Sequence, residues 1–328
     1  MCSGMRLLSF IWRKLLHAAA LLLAVLVLNF GLIHLAPGDV VQTLAGEMGG
    51  ASPEVIRELR RTWGLDRPFH EQLVSYLSKA VRGDLGTSAY FNRPVSELVL
   101  DRVPATVLLV MSAMLLALLG GTVLGIAAAR RPRSAFGTFT SIVALLGFSA
   151  PVFWTGLMLT ILFALVIPIF PTSGYFDVAK SATGLTHAVD VARHLALPAV
   201  TLAIIYVGVY ARLARASMLE VLGADYVRTA RAKGLTEAVV VYKHAMRNAI
   251  LPVVTMAGLQ FSSMLAGAVL VETVFNWPGL GQLAYESILR RDNQLLLGIL
   301  FYSALFVVVG NLLTDLAYRL IDPRIRTA

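Results

Sequence analysis

The chain has 328 residues, 57% of them hydrophobic and only 14% charged. Soluble domains carry about 25% charged residues. The apolar residues here fall in long uncharged blocks, not in the alternation of strands or amphipathic helices, so a large water-soluble core is excluded. The net charge of +9 is no argument for nucleic acid, because the basic residues cluster beside the apolar blocks, where a membrane protein needs them. The single cysteine, Cys2, cannot form an internal disulfide.

The first apolar block covers residues 15–35, preceded by Arg6, Arg13 and Lys14. It is too long for the core of a signal peptide, and its small residues Ala18 to Ala20 lie at its start, so it reads as an uncleaved helix. Five more blocks follow at 104–129, 140–167, 195–213, 250–271 and 295–316, free of Asp, Glu, Lys and Arg except near their ends. Each is long enough to cross a bilayer as a helix, which satisfies its own backbone in lipid. The expected fold is an all-α polytopic membrane protein of about six transmembrane helices. Sixteen of the 28 Lys and Arg fall in the N-terminus, the 130–139 turn, the 212–249 loop and the C-terminus, which predicts that both termini are cytoplasmic. The chain divides into 1–103, the first helix with a long extracytoplasmic loop, and 104–320, the transmembrane core.

That loop carries helix signals. Ser52, Pro53 and Glu54 read as cap, first position and first-turn acid of a helix running to Trp63 and stopping at Gly64. A second helix runs from about Pro68 to Arg82 and stops at Gly83. A third follows Asn92 and ends near Pro104.

Several chemistries are missing. There is no Gly-x-x-x-x-Gly-Lys-Ser/Thr and no Gly-Lys pair, hence no standard P-loop. His70-Glu71-Gln72-Leu73-Val74 has Val where a zinc helix needs its second His, so no metal site is expected. Gly147-Phe148-Ser149-Ala150-Pro151 lacks the last glycine of a nucleophile elbow. The blocks hold no buried acid or base of the kind ion-coupled carriers use; only Asn29, Gln260 and Asn311 are strongly polar within them. Gly121 and Gly125 form a small-xxx-small step for close helix approach. The chain therefore reads as a non-enzyme whose driving energy, if it moves solute, enters from another subunit. A stand-alone channel or carrier is the competing class.

The 212–249 segment is the most informative. Residues 224–233 are helix formers ending at Gly234, which accepts a left-handed conformation at low cost. Thr236 can cap a second helix, with Glu237 in its first turn. Spacing places Tyr226, Val227, Ala230 and Gly234 on one face. Such a helix suits either a groove on a soluble partner or, through Arg228, Arg231 and Lys233, anionic lipid.

Asp225-Tyr226-Val227-Arg228-Thr229-Ala230-Arg231-Ala232-Lys233-Gly234-Leu235, followed by His244-Ala245-Met246-Arg247-Asn248-Ala249-Ile250-Leu251-Pro252, resembles the cytoplasmic loop of the dipeptide/oligopeptide/nickel group of ABC importer permeases. Pro37-Gly38-Asp39, Gly83-Asp84-Leu85-Gly86-Thr87-Ser88, and Glu272 through Trp277-Pro278-Gly279-Leu280-Gly281 with Arg291-Asp292 resemble further stretches of that family, in its order. The resemblance implies a type I importer fold in the bacterial inner membrane. It implies that Tyr226 to Leu235 form the helix coupling the permease to its ATPase, and that Pro37, Gly38, Asp39, Glu272, Trp277, Pro278, Gly279, Gly281, Arg291 and Asp292 are structural motif positions. It also implies a second permease subunit, two ABC ATPase subunits that hold ATP and Mg, and an extracytoplasmic solute-binding protein. This chain itself holds no cofactor. The cargo is expected to be a di- or oligopeptide, with a nickel chelate, glutathione or a similar compound as the alternative.

Overall fold

The computed structural model describes residues 2–35, 52–62, 66–130, 134–135, 137, 142, 147, 149–180 and 183–321. The Pro37-Gly38-Asp39 stretch, the end of the first loop helix at Trp63 and Gly64, and most of 131–149 lie outside them. The described chain is helical: α1 Cys2–Leu35, α2 Pro53–Thr62, α3 Phe69–Val81, α4 Val95–Arg130 and α5 Val152–Thr160, which continues as a π-helical turn Ile161–Val166. After a short 3-10 turn Val178–Lys180 come α6 Gly184–Leu222, α7 Asp225–Ala232 and α8, built of Glu237–Val239, a π-helical turn Val240–Ala245 and Met246–Ala249. The last three are α9 Leu251–Val274, α10 Leu280–Leu289 and α11 Asn293–Ile321. Four helices are long and apolar enough to cross a membrane, and two shorter apolar stretches, Leu16–Leu32 and Val152–Val166, accompany them among the described residues.

The apolar blocks are found where the sequence places them, but several helices outrun them. The 104–129 block belongs to a helix that begins at Val95, so Pro104 sits inside it and does not end the preceding loop helix. The proline removes one backbone donor, yet the following residues form helix readily, and breaking it in an apolar setting would expose far more backbone. The 195–213 block lies within α6, which starts eleven residues earlier at Gly184 and ends at Leu222. The 250–271 block extends to Val274 and takes in Glu272. The 140–167 block is interrupted at Pro151, which stands just before α5.

The chain folds as two compact units. The first combines Met1–Pro104 with Gly279–Leu312, and the second Ala105–Pro278 with Leu313–Ala328. In the first, Leu26 and Phe30 of α1 pack with Tyr76 and Ala80 of α3, and with Leu85, Val95, Leu98 and Val99. Leu280 and Leu283 of α10 and Leu295, Leu297 and Ile299 of α11 complete that core. In the second, α4, α6 and α9 pack through small residues. A methyl group on Gly121 would stand 2.6 Å from Tyr210 Cβ and 2.7 Å from the Val207 carbonyl, and one on Gly125 would stand 2.8 Å from Ala214 Cβ and 2.9 Å from the Arg215 nitrogen. Gly156 of α5 meets Phe275 and Thr201 in the same way, and Gly267 of α9 meets Leu202. With lipid outside, close van der Waals contact of this kind is what holds spans together.

Candidate functional site

The 225–249 segment is built from its apolar residues outward. A helix of eight residues is unstable alone, so α7 depends on tertiary packing. Val227 and Ala230 are buried with Ile126 and Ala129 of α4, Met218 of α6, and Val240, Val241, Ala245 and Ala249. Gly234 ends the helix at φ +76°; a methyl group there would touch nothing within 4 Å, so glycine is needed for its backbone and not for space. Thr236 occupies the cap position of α8 but makes no side-chain cap hydrogen bond. Instead, Glu237 accepts two bonds from Arg231, from Nη2 at 2.8 Å and Nε at 3.1 Å. The Arg231 guanidinium holds the Glu237 carboxyl below its ordinary 4.5, against the smaller opposing effect of desolvation. Tyr226 takes a 2.8 Å bond at its hydroxyl from Asn248 Nδ2, which ties α7 to the end of α8.

The two arginine bonds form a fork at the bend, but both partners are largely exposed, so the pair adds little stability and chiefly sets geometry. Because the carboxyl is depressed in the folded state, its contribution is complete above the ordinary glutamate range and fades as pH falls through the lowered value. The protection of the residue 235–239 amides, taken relative to their intrinsic exchange at each pH, is therefore expected to fall as pH drops through the lowered Glu237 value in the native chain. A Glu237→Gln chain is expected to lack that acid step.

The four residues that spacing places together are divided by the structure. Val227 and Ala230 face inward, whereas Tyr226 and Gly234 are exposed. Asp225, Arg228, Thr229, Arg231, Ala232, Lys233 and Leu235 are exposed too. The segment thus has a buried side that fastens it to the protein and a free side that is basic and partly apolar. Sequence spacing cannot separate these sides, because the segments that cover Val227 and Ala230 come from α4, α6 and α8.

The motif positions further along the chain form two polar bolts, one in each unit. In the second unit, Glu272 is fully buried and accepts a 2.7 Å bond from Thr106 Oγ1. Trp277, also fully buried, donates from Nε1 to the Ala105 carbonyl at 2.9 Å and meets the Tyr175 ring edge-on at 4.8 Å. Asn276, at φ +49°, turns the chain between them. The 250–271 block itself holds no acid, but α9 runs past it to Val274 and buries Glu272, expected in a loop, in its last turn; its partner Thr106 is 166 residues away in sequence.

In the first unit, Asp292 is buried and accepts three bonds. Its Oδ1 takes the Leu295 amide at 3.0 Å, which caps α11, and its Oδ2 takes the Ser88 hydroxyl and the Tyr90 amide. Gln294 adds a 2.9 Å bond to the Leu85 carbonyl, and the Arg290 guanidinium lies 4.3 Å from the Tyr90 ring centre. Arg291, at φ +53°, makes the corner that aims Asp292 at the loop. Gly279 and Gly281 start α10, with Gly279 at its cap position. Sequence reading missed Thr106, Ala105, Tyr90 and Gln294 as partners; none belongs to a recognisable local pattern.

Another buried polar group stands at the start of α6. Asp190 accepts the Asp177 amide at 2.6 Å, and His194 Nδ1 lies 2.9 Å from the Asp190 carbonyl. Lys180, 2.9 Å from Asp177, lowers that carboxyl's titration. This cluster closes the turn before α6.

Helices long and apolar enough to cross a membrane, with a helical loop fastened on one side and exposed and basic on the other, define a membrane protein with a surface available to a partner. The model of the binding-protein-dependent transport system inner membrane component matches residues 121–327, and that of its N-terminal region matches 7–110. The chain belongs to this family of ABC importer permeases and is a multi-pass protein of the bacterial inner membrane. It is 40% identical to the dipeptide transport system permease protein DppB of Escherichia coli K12, over 98% of this chain and 99% of that one. It is 39% identical to the protein of the same name from Alkalihalophilus pseudofirmus, over 98% and 100%. It is also 40% identical to the di/tripeptide transport system permease protein DppB of Pseudomonas aeruginosa, over 98% and 99%. A solved structure of the MetNI methionine ABC transporter in inward-facing form matches with a TM-score of 0.52 at 16% identity, covering 69% of this chain and 97% of that one. That last likeness concerns the fold alone.

Proposed function

We propose that this chain is a permease subunit of an ATP-driven importer of dipeptides or short peptides, and that it lines the pathway together with a second permease. Its near-complete alignment with permeases named for dipeptides and di/tripeptides supports the cargo. In this reading six helices span the membrane and both termini are cytoplasmic. Two ATPase subunits carrying ATP and Mg meet the free side of α7, and a solute-binding protein delivers the peptide from the opposite face.

The observation that carries the coupling role is the division of α7 into a fastened side and a free side. A lever must be rigidly attached at one side and available at the other. Val227 and Ala230 supply the attachment, while Tyr226, Arg228, Thr229, Ala232, Lys233 and Leu235 remain for the partner. Binding of ATP closes the ATPase pair, the motion reaches the spans through α7 and α8 as a rigid-body shift, and the pathway opens outward; hydrolysis reverses it. A differential fit of α7 to the two ATPase states is what would drive that change.

The test is Gly234→Asp in the complex with its partner subunits and binding protein reconstituted in vesicles. A side chain at φ +76° costs about 1–2 kcal/mol and there is room for it, so the permease should still insert. The fixed angle between α7 and α8 is what should be lost. Peptide-stimulated ATP hydrolysis is expected to fall at least tenfold, with Gly234→Asn intermediate because it brings no negative charge to the basic free side of α7, both side chains tolerating left-handed backbone alike. Full stimulation in both variants would remove α7 from the coupling role. Mass spectrometry of the ligand carried by the partner binding protein tests the cargo, and a non-peptide ligand there would overturn it.

A further inference from the structure

The side of α8 that faces away from α7 is exposed and has no assigned task. Val239, Tyr242, Lys243 and Arg247 are exposed along it, and Leu251 continues it at the start of α9. The path from α8 into α9 is unbroken: Ile250 keeps helical dihedrals, its amide bonds to the Met246 carbonyl at 3.0 Å, and its own carbonyl takes the Val254 amide at 3.0 Å. Arg130, the last residue of α4, reaches this side from the neighbouring span. Its Nη1 lies 3.4 Å from the Tyr242 hydroxyl, and its guanidinium carbon is 5.7 Å from the ring centre.

The depth of these residues follows from a bond at the other end of the same two spans. Thr106 of α4 and Glu272 of α9 are hydrogen-bonded and so share one level. Taking that level as the outer edge of the hydrocarbon, a core of roughly 30 Å, or about 20 helical residues, carries α4 from Thr106 to Ile126 and α9 from Glu272 to Pro252. Arg130 then lies about 6 Å, and Arg247 about 7.5 Å, beyond the hydrocarbon at 1.5 Å per residue. The headgroup layer is about 5–8 Å thick on each side. Both counts start from that one bond, and both bring an arginine to headgroup depth. Tyr242 is held against Arg130. It is five residues before Arg247, and both side chains are exposed.

We infer that Arg130, Arg247 and Tyr242, with the exposed Lys243 beside them in sequence, form a binding site for the phosphate of an anionic phospholipid headgroup. Arginine suits phosphate through its forked donors, and tyrosine is at home at the membrane–water boundary. A protein partner is the weaker candidate: the free side of α7 lies elsewhere, and the α8 side runs directly into Leu251, exposed at the start of the apolar α9. The site would anchor the base of the α7–α8 loop to the membrane surface while α7 stays free.

The test uses the purified importer complex, reconstituted in nanodiscs of equal phosphatidylglycerol and phosphatidylcholine, released, and analysed by native mass spectrometry. The wild-type complex is expected to retain phosphatidylglycerol in preference to phosphatidylcholine. Loss of two charges at the surface, each worth about a fivefold change in lipid affinity, should weaken phosphatidylglycerol retention by about 30-fold in Arg130→Gln/Arg247→Gln. Arg247→Lys alone should keep most of it, which guards against simple misfolding of the double variant. Equal retention by wild type and double variant, or no preference in the wild type, overturns the site. So does a double variant that keeps its lipid but sheds its ATPase subunits, since that outcome assigns the surface to a protein. These readouts need no transport, so they stand or fall separately from the peptide cargo and the coupling role.

Discussion

Asp292→Ala is expected to destabilise the protein by about 3–5 kcal/mol, the combined effect of losing a helix cap and leaving buried donors without an acceptor. The side chain serves two masters. One oxygen caps α11 through the Leu295 amide, and the other receives the Ser88 hydroxyl and the Tyr90 amide from a loop more than 200 residues earlier. The loop end is itself a closed turn: Ser88 N bonds to the Arg93 carbonyl at 2.9 Å, Val95 N to the Gly86 carbonyl at 3.0 Å, and Ser88 Oγ takes the Phe91 amide at 3.0 Å. Removing the carboxylate therefore orphans groups that cannot turn to water without opening the turn. Thermal unfolding of the detergent-purified permease should show the loss. Hydrogen exchange should localise it, with the Tyr90 and Leu295 amides exchanging faster together. Asp292→Asn, which keeps one acceptor, should cost roughly half as much. Ser88→Ala should cost about 1–2 kcal/mol in the native background and much less in the Asp292→Ala background, because both changes break the same bond. Additive effects would show that the loop and the helix corner are held by something else.

Some features were visible in the sequence because they are local. The apolar runs stand out by length alone, and Gly83 and Gly234 announce helix ends that the structure shows at φ +77° and +76°. What stayed hidden was long-range. Glu272 reads as a loop acid after an apolar run until Thr106, 166 positions away, is seen to hold it. Pro104 reads as a stop because local propensity says so, and it is overridden by the continuous apolar setting of α4. The inward turn of Val227 and Ala230 depends on three other helices, so no spacing rule within the loop could expose it.

The same distinction explains why the motif positions look disparate in sequence and alike in structure. Glu272 with Trp277, and Arg291 with Asp292, each stand in the last turn of an apolar or amphipathic helix or just past it, beside a turn containing one non-glycine residue in left-handed conformation, Asn276 or Arg291. Each turn points a buried polar side chain back at α4 or at the loop that precedes it. Apolar packing has no strong preference among sliding positions of one helix on another, whereas a buried hydrogen bond has one geometry. These bolts fix register in a protein whose spans otherwise meet through small and aliphatic residues.

The register of α4 on α6 is set differently, by the absence of side chains, and adjacent glycines should respond with opposite sign. Gly121→Ala is expected to destabilise by about 1–3 kcal/mol and Gly125→Val by more, since overpacking against fixed neighbours forces the helices apart. The obstructing atoms include the Val207 carbonyl and Ala211 nitrogen at Gly121, and the Arg215 nitrogen at Gly125. These are backbone and cannot rotate away. Gly120, one residue earlier, is turned so that an added methyl would meet only Val207 Cγ2, at 3.9 Å. Gly120→Ala should therefore stabilise, by up to about 1 kcal/mol, through the higher helix propensity of alanine. The comparison is made on the purified permease by thermal unfolding and by the fraction eluting as a single species. Gly125→Val should yield little folded protein, Gly121→Ala a lowered midpoint, and Gly120→Ala an unchanged or raised one. If Gly120→Ala and Gly121→Ala were equally harmful, helix flexibility would be the reason for these glycines, and the close α4–α6 crossing would not.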